Sequence, residues 1–159
     1  MKKIILLIVV AIFAFVAILL FNTLMLSSKQ VASEGLDKIE LPNDVFQNLS
    51  KGLQYRTISF SEEAIPDSAA FFGFHRFLKE AFPLTHASLS LEKISTYSLL
   101  YTWEGSDPSK KPIILMSHQD VVPVDQPTLN DWEAGPFSGK ITDSDIIGRG
   151  AMDDKATLI

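Results

Sequence analysis

Residues Ile4 to Phe21 run without a single polar side chain, directly after Lys2 and Lys3. A run of about 18 or more uncharged apolar residues is long enough to cross a bilayer, whereas the apolar centre of a signal peptide is usually about 7–15. No face of the segment is polar, which argues against a core helix of a soluble protein. Asn22 and Thr23 interrupt the run and Leu24-Met25-Leu26 briefly restores it. The paired lysines favour a cytoplasmic N-terminus, which puts everything after the helix on the far side of the membrane. Residues 1–26 are therefore expected to be a signal anchor. The alternative is a cleaved signal peptide, with cleavage near Val31-Ala32-Ser33, although that site lies far from the apolar centre.

The remainder of the chain has room for one domain. The formal charge of −5 becomes −7 once the two lysines of residues 1–26 are set aside. An acidic body of this kind argues against nucleic-acid binding, which relies on clustered Lys and Arg. With no cysteine and three histidines, the chain forms no disulfide, and any metal must be held by His, Asp and Glu. That donor set is usual for catalytic zinc and unusual for structural zinc.

Ser27 to Glu40 is polar and mixed in charge, and it reads as a stalk, with 27–41 as its outer bounds. Pro42 to Tyr55 reads as a short helix through Val45, Phe46 and Leu49. Asp67 or Ser68 caps a helix that runs to Phe82 and is ended by Pro83. Its stripe of Phe71, Phe74, Leu78 and Phe82 faces a core. Strand-like runs follow at Leu89–Ile94, Ser98–Trp103 and Pro112–Ser117, the last apolar throughout, as in an interior strand covered on both faces. Gln119 to Gly139 is a long loop, and Ile141-Thr142 and Ile146-Ile147 flank a small hairpin at Asp143-Ser144-Asp145. A helix is expected from Ala151.

Two segments carry chemistry. Met116-Ser117-His118-Gln119-Asp120-Val121-Val122-Pro123 delivers an imidazole and a carboxylate to the end of the third strand-like run. In extended backbone, residues two apart point the same way, so His118 and Asp120 share a side. A loop histidine beside a solvated carboxylate is the plainer alternative for that triplet. About thirty residues on, Gly148-Arg149-Gly150-Ala151-Met152-Asp153-Asp154-Lys155 is a tight turn that offers a carboxylate. Together they suggest half of a metal site. His75 and His86 are assigned packing or surface roles. Trp132 and Phe137 either rim the site or pack, and Arg149 is a candidate partner for a carboxylate.

These two segments, in this order and with Trp132…Pro136-Phe137-Ser138-Gly139 between them, resemble the di-zinc peptidases that include carboxypeptidase S, aminoacylase-1 and succinyl-diaminopimelate desuccinylase. Phe74-His75-Arg76-Phe77-Leu78, Phe82-Pro83 and Leu99-Leu100-Tyr101-Thr102-Trp103 resemble the carboxypeptidase-S-like branch most, and the likeness runs from about Asn43 to Ile159. The resemblance implies that His118 ligates one zinc, that Asp120 supports this histidine and tunes the metal-bound water, and that Asp153 bridges two zincs. Asp154 is then the neighbour of the ligand, joined to it by a cis peptide bond.

The expected fold class is α/β: the N-terminal portion of a zinc-peptidase catalytic domain over residues 42–159, a mixed sheet flanked by helices, behind the transmembrane helix. The resemblance implies a metal-dependent hydrolase of amide bonds in peptides or N-acyl amino acids, with two zincs per complete catalytic domain and a glutamate general base. That glutamate, the remaining ligands and a second domain are expected beyond Ile159, so residues 27–159 alone should bind zinc weakly, lack turnover and be poorly soluble. A catalytically silent remnant and a membrane-tethered binding module with the same fold are the alternatives. The expected partners are the substrate and the membrane, with no nucleic acid.

Overall fold

A computed structural model describes residues 2–30, 40–61 and 64–159. Most of the expected stalk, including Val31-Ala32-Ser33, lies outside the described residues. The chain divides into two units, Met1–Ile39 and Glu40–Ile159.

In the first unit, α1 spans Lys2–Leu24 and buries none of its side chains. At 1.5 Å per residue it is about 35 Å long, against a bilayer hydrocarbon core of about 30 Å. It is the one helix among the described residues long and apolar enough to cross a membrane, by length and composition.

The second unit begins with α2, Asn43–Leu53, followed by α3, Ser68–Ala81. Asp67 is the residue that caps α3: its carboxylate accepts from Ala69 N at 3.0 Å and Ala70 N at 3.2 Å. Two donors that the first helical turn leaves without partners are thereby satisfied. Phe71, Phe74 and Leu78 of the expected stripe are buried, together with Phe77. The rings of Tyr55, Phe74 and Phe77 lie 5.5–5.9 Å apart, the packed centre of the unit. Pro83 does more than end α3. It occupies the first turn of α4, Pro83–Ser88, where a missing N–H costs nothing because that donor would be unpaired anyway.

Strands β1, Ser90–Ile94, and β2, Ser98–Thr102, pair antiparallel with Leu91 opposite Tyr101 and Lys93 opposite Leu99. A second hairpin joins β3, Lys140–Ile141, to β4, Ile146–Ile147, around the expected turn. Residues 119–139 are largely irregular, as expected, with a 3-10 helix at Gln126–Asp131.

The sheet is where the structure departs from expectation. Residues 112–117 form no strand, and Ile113 and Leu115 are 87% and 92% exposed. The two sheets among the described residues are both two-stranded and antiparallel, so the expected central mixed sheet is not formed by them. An all-apolar strand is stable only between neighbours that cover both faces and take up its backbone groups. Neither hairpin aligns with it. What remains is a single parallel bridge between Ile58 and Val121, just beyond the run.

The last helix, α5, covers Lys155–Leu158 and starts later than expected, because residues 148–154 are used for a turn. Gly150 sits in that turn at φ +88°, and a Cβ there would come within 2.7 Å of Val121 Cγ1. Lys155 follows it into the core. Its side chain is fully buried, donating to Gly52 O at 3.0 Å and Tyr55 O at 2.8 Å, with Nζ 4.7 Å from the centre of the Phe74 ring. Burial pushes its pKa down to about 8.

Truncating the packed centre should dominate over losing a cap. Phe74→Ala is expected to destabilise the second unit by about 3–5 kcal/mol through lost burial and a residual cavity. Asp67→Ala should cost about 1 kcal/mol through one lost cap. Urea unfolding of the detergent-solubilised chain, followed by near-ultraviolet circular dichroism, measures both. Equal losses would mean that the Tyr55–Phe74–Phe77 cluster is not the centre of the fold.

Candidate functional site

His118 stands where the exposed apolar run meets the Ile58–Val121 bridge, and both of its ring nitrogens face carboxylates. Nδ1 is 2.9 Å from the main-chain oxygen of Asp120 and 3.2 Å from its Oδ1. Nε2 is 2.8 Å from Oδ1 of Asp153, which arrives from 35 residues further along the chain. The shared side expected for His118 and Asp120 is therefore observed. The two segments singled out in the sequence meet at one imidazole.

A carbonyl oxygen only accepts, so the contact with Asp120 O fixes the proton on Nδ1. In the neutral ring, Nε2 is then the nitrogen with the free lone pair, and it points at a carboxylate. Without a cation this arrangement favours a second proton. The hydrogen bond to Asp153 raises the pKa of His118, assisted by the Asp120 carbonyl and both negative charges and opposed by partial burial. A metal ion coordinated by Nε2 and Asp153 would replace that proton, so the donor chemistry fits a cation. The Asp153 side chain is 88% exposed and open to further ligands. Among the described residues, however, no group of three or more His, Asp and Glu converges in a way that could hold a metal. The described residues bring His118 and Asp153 together as two potential donors.

Asp154 is occupied otherwise. One carboxylate oxygen accepts from the His118 main-chain N–H at 3.1 Å, and the other accepts from the Thr157 hydroxyl. The hydroxyl, and after it the N–H, hold its pKa below the usual carboxylate range. The peptide bond between Asp153 and Asp154 is cis, as the resemblance implied.

The other expected candidates lie elsewhere. His86 bonds Phe82 O through Nδ1 and the Tyr101 hydroxyl through Nε2, away from the site. Arg149, considered as a carboxylate partner, instead stacks on Trp132 at 5.3 Å, and Phe137 receives Arg56 at 5.1 Å. Two supporting residues were not assigned these roles from sequence. Lys155 ties the turn that carries Asp153 to the end of α2. His75, 8% exposed, places Nε2 2.8 Å from Oε1 of Gln119, the residue between His118 and Asp120. A signal for His75 was present, since Phe71, Phe74, His75 and Leu78 fall at i, i+3, i+4 and i+7 on one helix face.

A family model described as Peptidase family M20/M25/M40 matches residues 114–159, the stretch that holds His118, Asp120, Asp153 and Asp154. Over these residues the chain is similar to the M20/M25/M40 peptidase family. Probable carboxypeptidase S-like 2 of Dictyostelium discoideum is 41% identical over 89% of this chain and 28% of its own length. Carboxypeptidase S of Saccharomyces cerevisiae is 50% identical over 56% of this chain and 16% of its own. The Mus musculus N-fatty-acyl-amino acid synthase/hydrolase is 41% identical over 70% of this chain and 22% of its own. The chain thus spans under a third of the length of these relatives.

Burial of His75 has a consequence for stability against pH. Desolvation lowers its pKa below 6.5, outweighing the hydrogen bond that the ring donates to Gln119. A depressed folded-state pKa gives stability that is complete above the unfolded value and is lost as pH falls through the folded one. Relative to His75→Gln, which cannot titrate, the wild-type chain should lose stability as pH drops below about 6.5. Urea midpoints of the two proteins between pH 7.5 and pH 4.5 check this, and a constant difference would contradict it.

Proposed function

We propose that this chain forms part of a zinc-dependent hydrolase of amide bonds, with His118 and Asp153 as zinc ligands and Asp120 as the carboxylate that supports His118. The supporting observation is the bridging imidazole: Nδ1 fixed by Asp120 and Nε2 on Asp153, donors from two distant segments brought within 2.8 Å. Asp153 has two carboxylate oxygens and suits a bridge between two cations about 3.5–4 Å apart. Bound zinc would lower the pKa of a coordinated water towards neutrality and polarise the scissile carbonyl. Asp120 holds the ring in the tautomer that keeps Nε2 available, and its negative charge raises the basicity of that nitrogen. Asp154 takes no part in ligation and instead fastens the His118 main chain to the turn. A catalytic zinc needs about three protein donors, so the remaining donors and the general base are assigned to none of the described residues.

Peptides or N-acyl amino acids with a free carboxylate are the proposed substrates. The names of the relatives support this: one is a carboxypeptidase and another an N-fatty-acyl-amino acid synthase/hydrolase. The full-length protein should hold about two zincs per catalytic domain. His118→Ala should reduce zinc content, measured by elemental analysis after dialysis, and abolish hydrolysis of an N-acyl amino acid. Unchanged zinc content would remove the assignment. Zinc binding without turnover in the wild-type protein would favour the membrane-tethered binding module.

The proposed location is outside the cytoplasm, with α1 as a membrane anchor or, if cleaved, a secretion signal. The length and full exposure of α1 support it, as do Lys2 and Lys3. Those lysines sit in the first turn, where the helix dipole disfavours cations, so the helix itself does not account for them. Protease added to intact cells should remove the second unit and spare the N-terminus. Digestion only after the membrane is opened would reverse the topology.

A further inference from the structure

The segment that carries His118 and Asp120 lies in no described sheet, so side chains add to the single Ile58–Val121 bridge in positioning it. Thr57 donates its hydroxyl to Gln119 O at 2.6 Å, and Val121 joins Thr57 and Ser59 through two main-chain bonds. The Gln119 carboxamide reaches away in another direction. Its Nε2 donates to Tyr97 O, in the β1–β2 turn, and its Oε1 lies 2.8 Å from His75 Nε2 on α3.

The protons in this chain follow by elimination. Tyr97 O only accepts, so the amide nitrogen faces it and the amide oxygen faces His75. An amide oxygen only accepts, so His75 Nε2 carries the proton. In the neutral ring Nδ1 is then a bare lone pair, and Nδ1 is a buried atom without a hydrogen-bond partner among the described residues. Leaving an acceptor unpaired there avoids burying an unpaired N–H on a cation.

We propose that the Tyr97–Gln119–His75 chain is a positioning device for the metal site, with His75 held as the Nε2–H tautomer. By clamping the residue between His118 and Asp120, it sets where the imidazole meets Asp120 and Asp153. The inference rests on the reading that His118 and Asp153 hold a metal. Ligand distances tolerate about 0.2 Å, so a loosened backbone at Gln119 is felt at Nε2.

Three variants of the full chain separate positioning from packing. In His75→Gln the amide nitrogen reaches the place of Nε2, whereas in His75→Asn it reaches that of Nδ1, and His75→Phe keeps a ring without a donor. Gln and Asn both remove the ring, so a packing role predicts similar losses for the two. The expected result is a zinc dissociation constant close to wild type for His75→Gln and weakened about 10-fold or more for His75→Asn and His75→Phe. A metal-free readout accompanies it: the nuclear magnetic resonance signals of the His118 ring and the Gln119 side-chain amide should shift in Asn and Phe and return in Gln. Equal affinities in all four proteins, or equal weakening in Gln and Asn, would overturn the proposal. If the wild-type protein takes up no zinc, the metal reading fails and the resonance signals decide the clamp. Signals unmoved in His75→Asn would end it, and movement reversed in His75→Gln would sustain it.

Discussion

A buried ammonium group joins the two ends of the second unit. Lys155 donates to carbonyls at the C-terminal end of α2, where a helix leaves its last carbonyls unpaired and where cations are favoured. Its charge lies over the Phe74 ring, so the same contact reaches the aromatic centre. Removing the ammonium would leave two acceptors without their partner, which is the expensive way to lose a hydrogen bond. The turn that carries Asp153 and Asp154 ends at this residue, and Gly150 lets it close against Val121. Position in the core and position of the acids are thus one constraint.

From that anchor the site follows in two steps. The turn brings Asp153 to His118 Nε2, while Asp154 takes the His118 main-chain N–H. The Ile58–Val121 bridge and the Gln119 carboxamide hold the other side of the His118 segment. One imidazole between two carboxylates attracts positive charge, and the hydrogen bond to Asp153 raises its pKa. The proposed metal site rests on this arrangement, and two donors do not complete a coordination shell.

The exposed run at Ile113–Met116 has the composition of an interior strand and lacks the neighbours of one. Apolar surface of this kind marks a place where more protein belongs or where chains associate. The matched length is 28% of the Dictyostelium protein and less of the yeast and mouse proteins.

Much was legible in the sequence because it is encoded locally. The span of α1, the Asp67 cap, the Phe71–Leu78 stripe, the strand runs at 89–94 and 98–103 and the hairpin around 143–145 depend on residues within a few positions of one another. A hairpin over Gly105–Lys111, expected between the runs at 98–103 and 112–117, does not form. The pairing of His118 with Asp120 was legible for the same reason, since alternation in extended backbone places them together. What only the tertiary structure decided involves partners distant along the chain. Lys155 acquires its buried role only from its contacts with the end of α2, and His75, read as a packing or surface residue, acquires its polar partner only from Gln119. The 112–117 run failed as a strand because a strand is a property of its neighbours, and composition alone records only that they are required.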